Sequence, residues 1–297
     1  MTYFKLILTA FLWGGTFIAG KGLAGKVDPY SAAFLRFAIA SIFLIFLTRK
    51  AEGRLPKING NQALNILFLG LTGIFAYNIL FFTGLSLINA NRASLIIATN
   101  PIFISLFSVL LFKDKLSFLK LTGLVLSVSG ALVVISSGDI SNIFNKGIGR
   151  GELAIFGCVI SWVSYSLMGK PLMQTLSPMA AVCYSAVAGT LMLFFPALSH
   201  GLFSNIPTYG FMEWVDLFYL GFFGTVLGFF WYYEGIQKIG PMKAGVFINF
   251  VPVSAILLSY FILNEPVTKE LLAGAVLVIA GVYLTNFSGF RSAPAHK

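Results

Sequence analysis

Ala93–Gly130, ASLIIATNPIFISLFSVLLFKDKLSFLKLTGLVLSVSG, and Ala244–Gly281, AGVFINFVPVSAILLSYFILNEPVTKELLAGAVLVIAG, are two versions of one pattern. Set 151 positions apart, Ala93 falls on Ala244, Pro101 on Pro252, Ser108 on Ser259, Gly123 on Gly274 and Gly130 on Gly281. The register holds upstream, where Gly70, Gly73 and Gly84 fall on Gly221, Gly224 and Gly235, and downstream, where Gly138 falls on Gly289. Nearer the start of each half the spacing becomes 149, pairing Trp13 with Trp162, Lys21 with Lys170 and Pro29 with Pro178. Chance does not keep a register over such a length, so the chain is an internal duplication.

The duplicated unit is apolar. Of 297 residues, 58% are hydrophobic and 10% charged, against roughly a quarter charged in a soluble domain. Successive apolar runs of about 18 residues or more belong in a bilayer. Reading them between charged and Gly/Pro-rich breaks predicts transmembrane helices near 4–22, 30–48, 64–88, 93–112, 120–137, 152–170, 178–199, 215–238, 243–263 and 271–288. Each half holds five, an odd number, so the second half enters the membrane from the side opposite to the first. The expected fold is an all-α integral membrane protein of ten transmembrane helices in two inverted five-helix repeats. The repeats run over 1–138 and 152–289, with a connecting loop at 139–151 and a tail at 290–297. The first run, from Phe4 to Gly22, lacks a small-residue cleavage site and reads as a retained helix rather than a signal peptide.

The net charge of +10 does not point to nucleic acid, because the basic residues sit in the short gaps between apolar runs and not on one face. They read as topology determinants. With the N-terminus in the cytoplasm, the inside receives Lys5, Arg49, Lys50, Arg54, Lys57, Lys113, Lys115, Lys120, Lys170, Lys238, Lys243, Arg291 and Lys297. The outside receives Lys21, Lys26, Arg92, Lys146, Arg150 and Lys269, which is 13 against 6 with Arg36 set apart. Both termini are therefore expected in the cytoplasm. Cys158 and Cys183 both lie inside apolar runs, where a thiol behaves as a small hydrophobe, so neither a disulfide framework nor a metal site is expected, and no cofactor.

The stretch from Gly240 to Gly281 resembles the EamA-type repeat of the drug/metabolite transporter superfamily. It combines a Gly/Ala entry to the repeat's fourth helix, a mid-helix Pro252, the Asn264-Glu265-Pro266 turn and a last helix carrying Gly274 and Gly281. The first half is similar at Ala93, Pro101 and Gly123–Gly130, but has Lys113-Asp114-Lys115 where the family usually has a Glu. Trp13-Gly14-Gly15-Thr16-Phe17 and Phe34-Leu35-Arg36-Phe37 also resemble the family's first repeat. The resemblance implies a ten-helix carrier of a bacterial-type inner membrane, often an exporter of amino acids or related metabolites and sometimes of drugs. It does not imply a substrate, because the shared motifs are mainly scaffold.

Arg36 lies about seven residues into the second helix, where an unpaired charge costs about 2.5–3.5 kcal/mol. It either faces a watery cavity and holds a substrate carboxylate or phosphate, or snorkels to the interface. Glu234 is the carboxylate well inside an apolar run and so the candidate for proton coupling. Lys238, four residues on, offers it a structural ion pair instead. Pro101 and Pro252 interrupt equivalent helices and read as hinges, with Asn100 and Asn249 beside them. Trp13 and Trp162 are repeat equivalents away from the membrane boundaries and are candidate cavity walls, with Thr16, Asn78, Tyr165 and Trp231 contributing polar or aromatic contacts. For any single aromatic, packing is the competing reading.

No GxxxxGK[ST] loop is present, so ATP does not drive this chain through a site of its own. A membrane-embedded enzyme needs clustered Asp, His or Ser/Lys groups, which the helices lack, and a receptor of seven helices has no inverted repeat. The expected function is secondary active transport of small organic metabolites by alternating access, with export of amino acids or related compounds foremost and efflux of drugs or lipophilic cations as the alternative. The expected partners are a small-molecule substrate and the bilayer, with no nucleic acid, in a monomer or homodimer without catalytic residues.

Overall fold

The computed structural model describes residues 1–112, 118–136 and 148–291. The Lys113–Lys115 turn, most of the 139–151 loop and the tail beyond residue 291 lie outside the described residues. The helices in order are α1 (Thr2–Leu23), α2 (Pro29–Glu52), α3 (Gly60–Leu87), α4a (Ala90–Ile97), α4b (Asn100–Phe112) and α5 (Phe118–Ser136). The second half gives α6 (Arg150–Leu172), α7 (Pro178–Ser199), α8 (Phe211–Ile239), α9a (Pro241–Val246), α9b (Phe250–Leu263) and α10 (Lys269–Arg291). Among the described residues, α1, α2, α3, α6, α7 and α8 are each long and apolar enough to cross a membrane unbroken. The 24 residues of α2 span about 36 Å at ~1.5 Å per residue, more than the ~30 Å hydrocarbon core. Exposed Phe46, Leu64, Phe195 and Phe261 are the side chains such a bundle turns toward lipid.

Local chemistry sets the helix ends. Asp28 caps α2 by accepting from the Tyr30 and Ser31 amides at 3.0 and 3.2 Å, with Pro29 in the first turn, where its missing N–H costs nothing. Gly53 ends α2 in the left-handed conformation, at φ 74°. Ser177, 149 positions after Asp28, caps α7 through the Ala180 amide, with Pro178 following.

The contacts themselves repeat. Gly84 of α3 is packed against Ile155 of α6, and its counterpart Gly235 of α8 against Leu6 of α1. Gly70 of α3 approaches the Ser185 carbonyl and Ala188 of α7, while Gly221 of α8 approaches the Arg36 carbonyl and Ile39 of α2. The same offsets of 149 and 151 carry each contact into its partner, so the halves interlock, α1 and α2 holding α8 as α6 and α7 hold α3. A glycine at each such place lets backbones come close without a side chain between them. Ser41 Oγ of α2 lies 3.1 Å from Thr190 Oγ1 of α7, its own repeat equivalent, marking where the pseudo-twofold passes. The fold is two inverted five-helix repeats.

Two pairs of helices are irregular, one pair unexpectedly and the other where the prolines were expected to interrupt it. α3 and α8 widen into π-helix over Gly70–Ala76 and Tyr219–Leu227, at equivalent places. α4 and α9 are broken, α4 at Ala98–Thr99 and α9 by a 3-10 turn at Phe247–Asn249. The cause is Pro101 and Pro252, which have no N–H to close the preceding turn. Around the α4 break the chain falls back on tighter bonds, Thr99 N to Ile96 O and Ile102 N to Thr99 O. Helix starts predicted at 64, 93 and 215 move out to Gly60, Ala90 and Phe211; the Asn59–Gln62 capping box extends the first past its apolar run, and the Glu265 carboxylate, accepting from the Ala90 and Asn91 amides, extends the second.

Candidate functional site

The breaks and the widened turns surround one cavity. It is narrow and is lined by Trp13, Thr16, Phe17, Arg36, Tyr77, Phe81, Ile97, Asn100, Trp162, Phe229, Ile248 and Val251. These residues come from the middle portions of α1, α2, α3, α6, α8 and the broken α4 and α9, which puts the cavity at mid-membrane depth. Irregular backbone is tolerated there because it is buried in protein or lines a cavity.

Arg36 is 3% exposed. Its Nε donates to Thr225 Oγ1 at 3.0 Å and its Nη1 to Asn78 Oδ1 at 2.9 Å. Both acceptors are neutral, and among the described residues no carboxylate pairs with this guanidinium. The acceptors are held in turn: Asn78 Nδ2 donates to Ile74 O at 2.7 Å and Thr225 Oγ1 to Leu220 O at 2.9 Å, both in π segments. The widened turns thus free carbonyls that fix the two residues which aim Arg36. The result is a desolvated, oriented cation with donors to spare, facing the cavity, a place that lowers the energy of a bound anion.

The walls are aromatic. Trp13 Nε1 donates to Gly224 O at 2.9 Å, another carbonyl of the α8 π segment, and its ring meets Trp162 edge-on at 5.2 Å. Trp162 continues to Tyr77 and Phe229 at 5.5 and 5.1 Å. Asn100, at the start of α4b, is 1% exposed, and its Oδ1 has no hydrogen-bond partner. A buried carbonyl oxygen left open costs about 1–3 kcal/mol unless a ligand or water fills it. The cavity therefore offers a cation for an anion at one wall and an acceptor for a donor at another.

Of the residues singled out from sequence, Trp13, Thr16, Arg36, Asn100 and Trp162 line this cavity, and Asn78 stands one bond behind it. Tyr165 is fully buried but not in the lining; its hydroxyl bonds Ser185 Oγ at 3.2 Å and its carbonyl accepts from Tyr233. Trp231 is half-buried and off the cavity. Asn249 lies in the α9 break, and its side chain is outside the described residues. Glu234 is away from the cavity, held by Lys5 at 2.7 Å and Lys238 at 2.5 Å. Sequence reasoning passed over Phe17, Tyr77, Phe81, Phe229 and Thr225. A pointer to Tyr77 was available in its spacing of four from Phe81, but in a chain with 31 Phe such spacings carry little contrast.

A ten-helix inverted duplication around a mid-membrane cavity with one buried cation defines a membrane transporter. The EamA-like transporter family model matches residues 1–136 and again 149–287, and the chain belongs to that family. It is 31% identical over 283 residues to the uncharacterized transporter YyaM of Bacillus subtilis strain 168, covering 94% of this chain and 92% of that one. A probable terminal-alkyne amino-acid exporter of Streptantibioticus cattleyicolor is 27% identical over 286 residues, covering 95% of this chain and 92% of the relative. A crystal structure 20% identical superposes with a TM-score of 0.70 over 96% of this chain and 98% of the other, a likeness of fold alone.

Proposed function

We propose that this transporter is a secondary carrier that exports amino acids or closely related zwitterions by alternating access. The observation that carries the reading is Arg36, a buried guanidinium aimed into the cavity by two neutral acceptors and lacking a counter-charge among the described residues. A substrate carboxylate supplies that charge. The open Asn100 Oδ1 accepts from the substrate's ammonium, and the faces of Trp13 and Trp162 favour the same cation and an apolar side chain. The relative described as an amino-acid exporter supports the class. A lipophilic-cation carrier fits less well, because the charged residue in the lining is positive.

Alternating access draws on the inverted repeat and on paired weak points, with Pro101 and Pro252 as the hinges of α4 and α9. The distribution of Lys and Arg supports cytoplasmic termini in an inner membrane. In that orientation Glu234, Lys5 and Lys238 form a pin at the cytoplasmic ends of α1 and α8 rather than a proton relay. The test is counterflow of a labelled panel of amino acids, their deaminated acids and lipophilic cations in proteoliposomes, with and without an imposed pH gradient. Saturable exchange of amino acids supports the reading; exchange of the cations alone overturns it.

A further inference from the structure

The cavity is lopsided. Trp13 and Trp162, Ile97 and Ile248, and Asn100 and Val251 line it as repeat-equivalent pairs. Thr16, Phe17, Arg36, Tyr77 and Phe81 of the first half line it alone, their counterparts Tyr165, Ser166, Ser185, Gly228 and Tyr232 standing outside it, while from the second half Phe229 lines it without its counterpart Asn78. The same inverted scaffold thus makes two pockets related by the pseudo-twofold and leaves one open.

What fills the other is visible from the glycines. Gly224 is packed against the small Thr16 side chain, leaving room for the Arg36 head beside it, whereas its counterpart Gly73 is packed against the ring of Tyr165. The Tyr165 hydroxyl reaches Ser185, the residue standing where Arg36 stands in the other half. The ring also stacks on Tyr233 at 4.9 Å and leans on Trp162, a wall of the open cavity, at 5.3 Å. Phe229, the counterpart of Asn78, closes the remaining side at 5.8 Å from the Tyr165 ring.

We infer that Tyr165 is a specificity-determining residue: its ring fills the twofold equivalent of the Arg36 pocket and so sets the largest ligand side chain that the cavity accepts. Thr16 marks what the position holds when the pocket is open. Reading the limit as a substrate limit rests on the transport assignment above; the occupancy of the twofold-related pocket does not.

Two readouts separate these. In a Cys158→Ala, Cys183→Ala background, Ser185→Cys is exposed to a small methanethiosulfonate reagent. It should be unreactive with Tyr165 present and become labelled when Tyr165→Thr is added, with Tyr165→Leu as the milder opening should the threonine variant elute as an aggregate. In counterflow, the ratio of tryptophan to alanine uptake should rise about tenfold or more in Tyr165→Thr, while Tyr165→Phe, which keeps the ring, keeps the wild-type ratio. Labelling of Ser185→Cys with Tyr165 in place, or an opened pocket with an unchanged uptake ratio, overturns the inference. If the wild type moves neither amino acid, the transport assignment fails while the labelling still decides the plug.

Discussion

Replacing Arg36 by glutamine separates a binding residue from a structural one, because the two roles give opposite signs in stability. Burying an arginine in the middle of a membrane helix costs about 2.5–3.5 kcal/mol on insertion scales. Removing it leaves Asn78 Oδ1 short of a donor, worth about 1–3 kcal/mol, but a glutamine amide can supply that donor, and Asn78 and Thr225 keep their own bonds to Ile74 O and Leu220 O. Arg36→Gln should therefore leave the empty protein as stable as wild type or more so. Substrate binding should move the other way. Truncating one partner of a buried, hydrogen-bonded charge pair costs about 2–5 kcal/mol, which is about 30-fold to several thousand-fold in affinity. The assay is counterflow of a carboxylate substrate and of its carboxamide analogue, beside thermal denaturation in the same detergent. Wild type should prefer the acid strongly and the variant should lose that preference. Acid affinity within about threefold of wild type, or a variant that melts well below it, refutes the reasoning.

Asn100→Leu removes the open acceptor, and should cost α-amino acids about tenfold in affinity while sparing the deaminated acids; equal losses in both series count against an ammonium contact. Glu265, 7% exposed, accepts from the Ala90 and Asn91 amides at 3.0 and 3.1 Å and so caps α4a from the loop between α9b and α10. Glu265→Ala should destabilise by about 2 kcal/mol, with Glu265→Gln intermediate, and a melting temperature unchanged in the alanine variant would show that the cap is not needed. Glu234→Gln breaks a partly exposed triad and should shift stability by less than about 1 kcal/mol while leaving the uptake response to a pH gradient intact; loss of that response would restore Glu234 as the coupling group.

The duplication was legible in the sequence because it is written in residues that permit close helix approach. Gly70, Gly73 and Gly84 pair with Gly221, Gly224 and Gly235, and each seats a neighbour that would have to shift to admit a Cβ. Arg36 was legible for an energetic reason, since nothing but a cavity or an interface excuses a cation at that depth. The π segments were not, because an apolar run such as GLTGIFA reads as plain helix, and only the close packing of α6 and α7 against it accompanies the wider turn. The partner of Glu234 on α1 was equally hidden: Lys5 lies 229 positions away, and the sequence offers only Lys238 at helical spacing. Trp231 and Tyr165 were singled out as contributing polar or aromatic contacts, and aromaticity is a weak discriminator where 15% of residues are aromatic.

The two halves agree in packing and differ in chemistry, and the cost of buried charge explains the division. A symmetric duplication carrying arginine at both 36 and 185 would desolvate two cations around one cavity, each at about 2.5–3.5 kcal/mol before their repulsion. One substrate carboxylate could not neutralise both. Ser185 instead spends its hydroxyl on Tyr165, and Phe229 stands where the other half has Asn78. The glycine seats, the Ser41–Thr190 crossing and the paired breaks stay symmetric, which is what the proposed alternating access asks of a scaffold that rearranges in either direction. On the proposed mechanism, such a carrier keeps its twofold where the motion lies and abandons it where a single charge is held.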